Sequence, residues 1–126
     1  MSNPATERAL VSPVRQVILP APIAIDRKRI FVNPPTIHIG SGDSRAKTIE
    51  WVNQTGGDIY IWLPNAHRYL IGKPEDFLKP FAVPNGGNLA LQVSQTSEAN
   101  YYHYNVYCRA IDSYAEGNSE PGVECP

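Results

Sequence analysis

Between closely spaced prolines and glycines, the chain alternates apolar and polar residues in short runs. Ile49 and Trp51 flank Glu50; Ile59, Ile61 and Leu63 alternate with Asp58, Tyr60 and Trp62; Leu89, Leu91 and Val93 oppose Asn88 and Gln92. A period of two with one apolar face belongs to strands packed on one side. The pattern predicts strands at "RIFV" (29–32), "TIHI" (36–39), "KTIEWVN" (47–53), "DIYIWL" (58–63), "NLALQV" (88–93), "YYHYNVY" (101–107) and "GVEC" (122–125). "NAHRYLIG" (65–72) predicts a helical turn with Asn65 as its N-cap, and "PNGG" (84–87) a tight turn. No window sustains a helical repeat, and the 12 prolines and 9 glycines fall between the strand runs. The class is all-β, a sandwich or barrel.

The first 28 residues break this pattern. Val17, Ile18, Leu19, Ile23 and Ile25 are β-prone and too apolar to stand in water, but Pro13, Pro20 and Pro22 argue against a central sheet position. The expectation is therefore an extended, Pro-rich arm over residues 1–28, packed on its own sandwich or on a neighbour's edge, followed by a domain over 29–126.

Composition narrows the function classes. The 126 residues suffice for one core, and a net charge of −1 gives no electrostatic case for nucleic acid or an anionic membrane. No apolar run approaches the ~20 residues of a membrane span. "MSNPATERALVSPVRQ" lacks the apolar segment of a secretory leader, so the expected location is cytoplasmic, with leaderless export as the alternative. His38, His67 and His103, the two cysteines and scattered carboxylates show no metal-binding or nucleophile–base spacing. Glu75 and Asp76 read as solvated charge, "GSGDSRAKT" (40–48) as a surface loop, and the Asn53-Gln54-Thr55 sequon as a chance triplet. No enzyme and no cofactor is predicted.

Four stretches resemble the cupredoxin family, the Greek-key β-sandwich of plastocyanin and azurin. They are "FVNPPTIHIGSGD" (31–43), "IEWVNQTGG" (49–57), "FAVPNGGNLALQV" (81–93) and "YHYNVYC" (102–108), the last being similar to the strand that delivers the copper thiolate. The resemblance implies a cupredoxin-like, Greek-key sandwich and makes Cys108 the position of that thiolate. A type 1 site also needs two imidazoles and usually an axial methionine. Aligned from Trp51, the first histidine position falls on Ile59, or on Asp58 with a shift of one, and "RAIDSYAEGNSEPGVECP" after Cys108 holds neither His nor Met. The expected domain is thus copper-free. Of the histidines, His67 alone is retained as a metal candidate, because the resemblance puts its segment near the metal end; His103 points away from Cys108 in a regular strand. The resemblance also implies that the last two strands lie side by side. Cys108 and Cys125 then form a bridge closing a loop of 16 intervening residues, worth about 3 kcal/mol, or remain two buried thiols in a reducing compartment.

With Tyr104, Val106 and Cys108 turned inward, the same strand turns Tyr101, His103, Asn105 and Tyr107 outward. Tyr60 and Trp62 do the same on "DIYIWL". The expected surface is an aromatic patch of Tyr60, Trp62, Tyr101, His103 and Tyr107, covered by the arm or used in binding. The function classes are an assembly subunit or partner-binding module that self-associates or binds another protein, a carbohydrate- or other ligand-binding module, and a metal or redox protein with a non-standard site.

Overall fold

The computed structural model describes residues 17–26, 29–40, 46–115 and 121–126. Its strands are β1 (Val17–Asp26), β2 (Arg29–Val32), β3 (Thr36–His38), β4 (Lys47–Gln54), β5 (Ile59–Trp62), β6 (Phe81–Val83), β7 (Asn88–Gln92), β8 (Asn100–His103), β9 (Asn105–Cys108), β10 (Ser113–Tyr114) and β11 (Gly122–Cys125). Three ladders arise, in the orders β2-β1-β4-β7, β10-β9-β5-β6 and β3-β11-β8. Their apolar faces meet in one core that includes Ile23, Ile30, Ile49, Trp51, Ile59, Ile61, Tyr104, Val106 and Val123. Among the described residues no helix is long and apolar enough to cross a membrane.

The alternating runs become strands because each turns one apolar row inward. The pattern is cleanest in β5, where Ile59 and Ile61 are buried and Tyr60 and Trp62 face out. Between β5 and β6 the chain makes two 3-10 turns, Ala66–Arg68 and Pro74–Phe77. The first follows Asn65, whose backbone is left-handed (φ 58°) and whose side chain makes no capping hydrogen bond. Asp76 belongs to the second turn, where its carboxylate accepts the Lys73 N–H at 2.8 Å.

The arm expectation is corrected for residues 17–26. They form the longest strand of the fold's described residues, internal to its sheet: β1 runs parallel to β4 over Val17–Ala24 and antiparallel to β2 over Ile23–Asp26. The prolines permit this because of their spacing. The Val17 N–H donates to the Ala46 carbonyl on the β4 side, whereas the Pro22 carbonyl accepts the Asn33 N–H on the other side. Pro20 and Pro22, two apart, therefore both turn their missing N–H away from β4, and no bond of that ladder is lost. Ile23 is buried, Val17, Leu19 and Ile25 are half-buried, and Ile18 is exposed. Pro13 and the rest of residues 1–16 lie outside the described residues, as do 27–28, the 41–45 part of the predicted loop, and 116–120.

The predicted strand 101–107 is also corrected. It is interrupted at Tyr104, whose N–H donates to the Pro121 carbonyl at 3.0 Å, so that β8 pairs with β11 and β9 pairs with β5.

Candidate functional site

Two regions collect the chemistry singled out in the sequence: the end of the sandwich where β9 finishes at Cys108, and the outer face of β5, β9 and β10.

At the first, Cys108 is fully buried, with Ile59 and Ser113 as its cross-strand partners; Ile59 in turn pairs with Val83. The surrounding loops are tied together by Asn53, which is 1% exposed. Its amide donates to the carbonyls of Gly57 (2.7 Å), Val83 (3.0 Å) and Pro84 (3.0 Å), while its Oδ1 accepts the backbone N–H (3.0 Å) and hydroxyl (2.7 Å) of Thr55. Every hydrogen-bonding group of this side chain is satisfied inside the fold, so the asparagine of the sequon is a structural hub. The predicted turn at 84–87 forms here: the Gly86 N–H donates to the Asn53 carbonyl and Gly86 sits at φ 79°, a backbone state that glycine adopts at no steric cost.

The histidines do not gather at this end. His38 lies on β3 and bonds Glu124 on β11 at 2.6 Å, and His103 lies exposed on β8. His67 is placed at the opposite end, which removes the reason for retaining it as a metal candidate. The antiparallel register of β5 and β9 starts at Ile59↔Cys108 and ends at Trp62↔Asn105, so the chain moves away from Cys108 before reaching the turn that holds His67. Among the described residues, no three His, Cys, Asp or Glu side chains converge as a metal site.

Cys108 and Cys125 are both free and buried. The expected bridge fails on register. β11 does lie beside the 100–108 run, but it pairs antiparallel with β8, setting Cys125 opposite Asn100. Asn100 precedes Cys108 by eight residues, about 26 Å of extended chain, whereas a disulfide needs Cα atoms within about 7 Å. Cys125 instead adjoins the stacked rings of Tyr69 and Tyr102, whose centroids are 4.4 Å apart, and burial pushes its thiol pKa up.

At the second region, β5 and β9 bring Tyr60 opposite Tyr107, with ring centroids 6.4 Å apart, and Trp62 opposite Asn105. β10 adds Tyr114 opposite Tyr107, at 5.1 Å between centroids. Trp62 and Tyr114 remain 43% and 59% exposed. The Tyr107 hydroxyl donates to Asp112, and this bond raises the Tyr107 pKa. The described part of the presumed arm lies in the other sheet and does not cover this face. Tyr101 and His103 are separated from it, in the β3-β11-β8 ladder, where their rings meet edge-on at 4.7 Å. Tyr101 is a packing residue: its ring lies where a methyl group on Gly122 would be, and its hydroxyl is 3.2 Å from Thr36 Oγ1. Sequence reasoning missed Tyr114 because a two-residue strand carries no periodicity.

No family model and no curated protein matches the chain. Solved structures do. A multicopper oxidase, McoA from the hyperthermophile Aquifex aeolicus, aligns at a TM-score of 0.50 and 12% identity over 87% of this chain; the aligned part is 29% of the oxidase's length. Reduced auracyanin from the photosynthetic bacterium Roseiflexus castenholzii aligns at 0.43 and 12% identity, covering 87% of this chain and 98% of its own. A copper(I) amicyanin variant aligns at 0.40 and 14% identity, covering 88% and 82%. At such identities the likeness is one of fold, and the fold is a cupredoxin-like β-sandwich.

Proposed function

We propose that this cupredoxin-like domain is a copper-free, non-enzymatic association module that binds a second copy of itself through the outer face of β5, β9 and β10. The observation carrying the reading is the row of Tyr60, Tyr107 and Tyr114 flanked by the exposed Trp62. Rings held on a sheet are already ordered, so burying them against a partner gives contact area at little entropic cost. A two-fold contact sets the same patch against itself, which lets its rings pack on their own copies. The copper-free part is supported by the chemistry around Cys108. The buried Ile59 is its cross-strand partner where the cupredoxin resemblance expects an imidazole, and no His or Met follows in the sequence.

Sedimentation of the full chain tests the association. The expected species has twice the 13.9 kDa chain mass. Trp62→Arg combined with Tyr114→Arg should give a monomer with an unchanged melting temperature. A wild-type monomer at every concentration overturns the reading. If that monomer's Trp62 fluorescence then shifts on titration with oligosaccharides, the same face is a sugar platform. Titration with Cu(II) should produce no intense visible thiolate-to-copper band, and a stoichiometric blue species would sink the copper-free part.

A further inference from the structure

β9 passes into β10 through one 3-10 turn, Arg109–Ile111, and a charge stands at each end of it: Arg109 opens the turn and Asp112 follows it, both exposed. A 3-10 turn repeats every three residues, so the two side chains project from one side of it. Asp112 has a left-handed backbone (φ 47°), a state that aspartate tolerates, and its Oδ1 accepts the Tyr107 hydroxyl. A carboxylate accepts at both oxygens, so Oδ2 can take a second donor. The Asp112 bond raises the Tyr107 pKa, and the Arg109 guanidinium lies close enough to oppose that rise. Yet among the described residues Arg109 forms no ion pair, and the carboxylate of the neighbouring Asp58 accepts the Asn85 N–H at 3.3 Å. Tyr107, between Tyr60 and Tyr114 in the ring row, thus has one cation and one anion beside it.

We propose that Arg109 and Asp112 set the register of the two-fold contact, Arg109 of each copy pairing with Asp112 of the partner subunit. The inference rests on the association reading above and adds the residues that orient it. The argument is charge complementarity. A two-fold axis running between the two side chains brings each against its opposite in the other copy, and does so twice. An axis through either side chain would instead set like charges together, which costs more than the rings' contact can ignore. Division of labour follows: Tyr60, Trp62, Tyr107 and Tyr114 supply contact area that tolerates many registers, and the two charges exclude all but one. The Tyr107 hydroxyl contributes by holding the Asp112 carboxylate in place before the partner arrives.

Charge reversal in the full chain, followed by sedimentation, supplies the test. Arg109→Glu places two carboxylates in each contact and Asp112→Lys two cations, so either alone should weaken dimerisation about ten-fold or more. An equimolar mixture of the two variants should recover the dimer, because both contacts of the mixed pair again join opposite charges. Asp112→Asn, which keeps an acceptor for the Tyr107 hydroxyl, should weaken the dimer less than Asp112→Lys does. Unchanged melting temperatures verify the fold of each variant. If the mixture stays monomeric although both variants melt like the unaltered chain, the charges act within one chain and the proposal is overturned. Indifference to both reversals, in a dimer that Trp62→Arg with Tyr114→Arg dissociates, overturns it while the association reading stands. A monomeric unaltered chain at every concentration removes both.

Discussion

Trp51 on β4 donates its indole N–H to the hydroxyl of Tyr104 at 3.1 Å, and the two rings meet edge-on with centroids 5.6 Å apart. Both residues are fully buried. The bond joins the sheet built on β1 and β4 to the point where the β8–β9 run changes ladders, so one contact sets the spacing of the layers around the core. Tyr104→Phe keeps the ring but leaves a buried indole N–H unpaired, at a cost of about 1–3 kcal/mol. Tyr69 offers the contrast. It is equally buried, yet its hydroxyl has no hydrogen-bond partner among the described residues. Tyr69→Phe should therefore be neutral or stabilising, and urea unfolding of the two variants will separate these outcomes.

The same two tyrosines define an alkaline limit. Burial raises both phenol pKa values above their ordinary 10, helped at Tyr69 by the nearby Tyr104, Cys125 and Tyr102 and opposed at Tyr104 by the bond from Trp51. A folded-state pKa above the unfolded value means that stability is fully present below about pH 10 and is lost as pH rises beyond it. In a phenolate absorbance titration, Tyr69 and Tyr104 should ionise only together with unfolding. Independent ionisation of all seven tyrosines near pH 10 in the folded protein would contradict this.

Asn53 predicts a difference between two small changes. Asn53→Ala removes the donor to three carbonyls and should cost about 1–3 kcal/mol. Asn53→Asp sets a buried carboxylate against the same carbonyls, and an uncompensated buried charge costs about 3–5 kcal/mol. The aspartate variant should thus have the lower urea midpoint at neutral pH, and equal midpoints would place the hub's importance elsewhere.

How far the sequence spoke depends on what each feature required. Strands such as Ile59–Trp62 were legible because burial on one side imposes a period of two on the residues themselves. The adjacency of "GVEC" to the 100–108 run was legible through the cupredoxin resemblance, but its register was not. The break at Tyr104 depends on which strands compete for that segment, and it decides that Cys125 faces Asn100 and lies far from Cys108. The patch was half legible for the same reason: Tyr60 and Tyr107 meet through direct pairing, while Tyr101 is drawn away with β8. Pro20 and Pro22, each taken singly, argue against a central strand. Taken as a pair two apart, they fit a strand in which both positions without an N–H fall on the edge away from β4.

That reading of β1 gives the last prediction. β1 supplies the buried Ala21 and Ile23 and packs Leu19 and Ile25 against the core, and its parallel ladder covers β4, which carries Ile49 and Trp51. Full burial of an isoleucine or leucine side chain is worth about 1.5–3 kcal/mol. Ile23 with the partly buried Leu19 and Ile25 therefore contributes several kcal/mol, against a typical net domain stability of ~5–15 kcal/mol. Removal would also expose the edge of β4 to unspecific pairing. A chain starting at Arg29 should consequently lack a cooperative melt and aggregate. Pro22→Ala, by contrast, restores an N–H pointing away from β4 and should change stability by less than about 1 kcal/mol. A native-like melting transition in the Arg29 chain would show that β1 is an accessory to the sandwich, and a large loss in Pro22→Ala would show that the proline faces β4 after all.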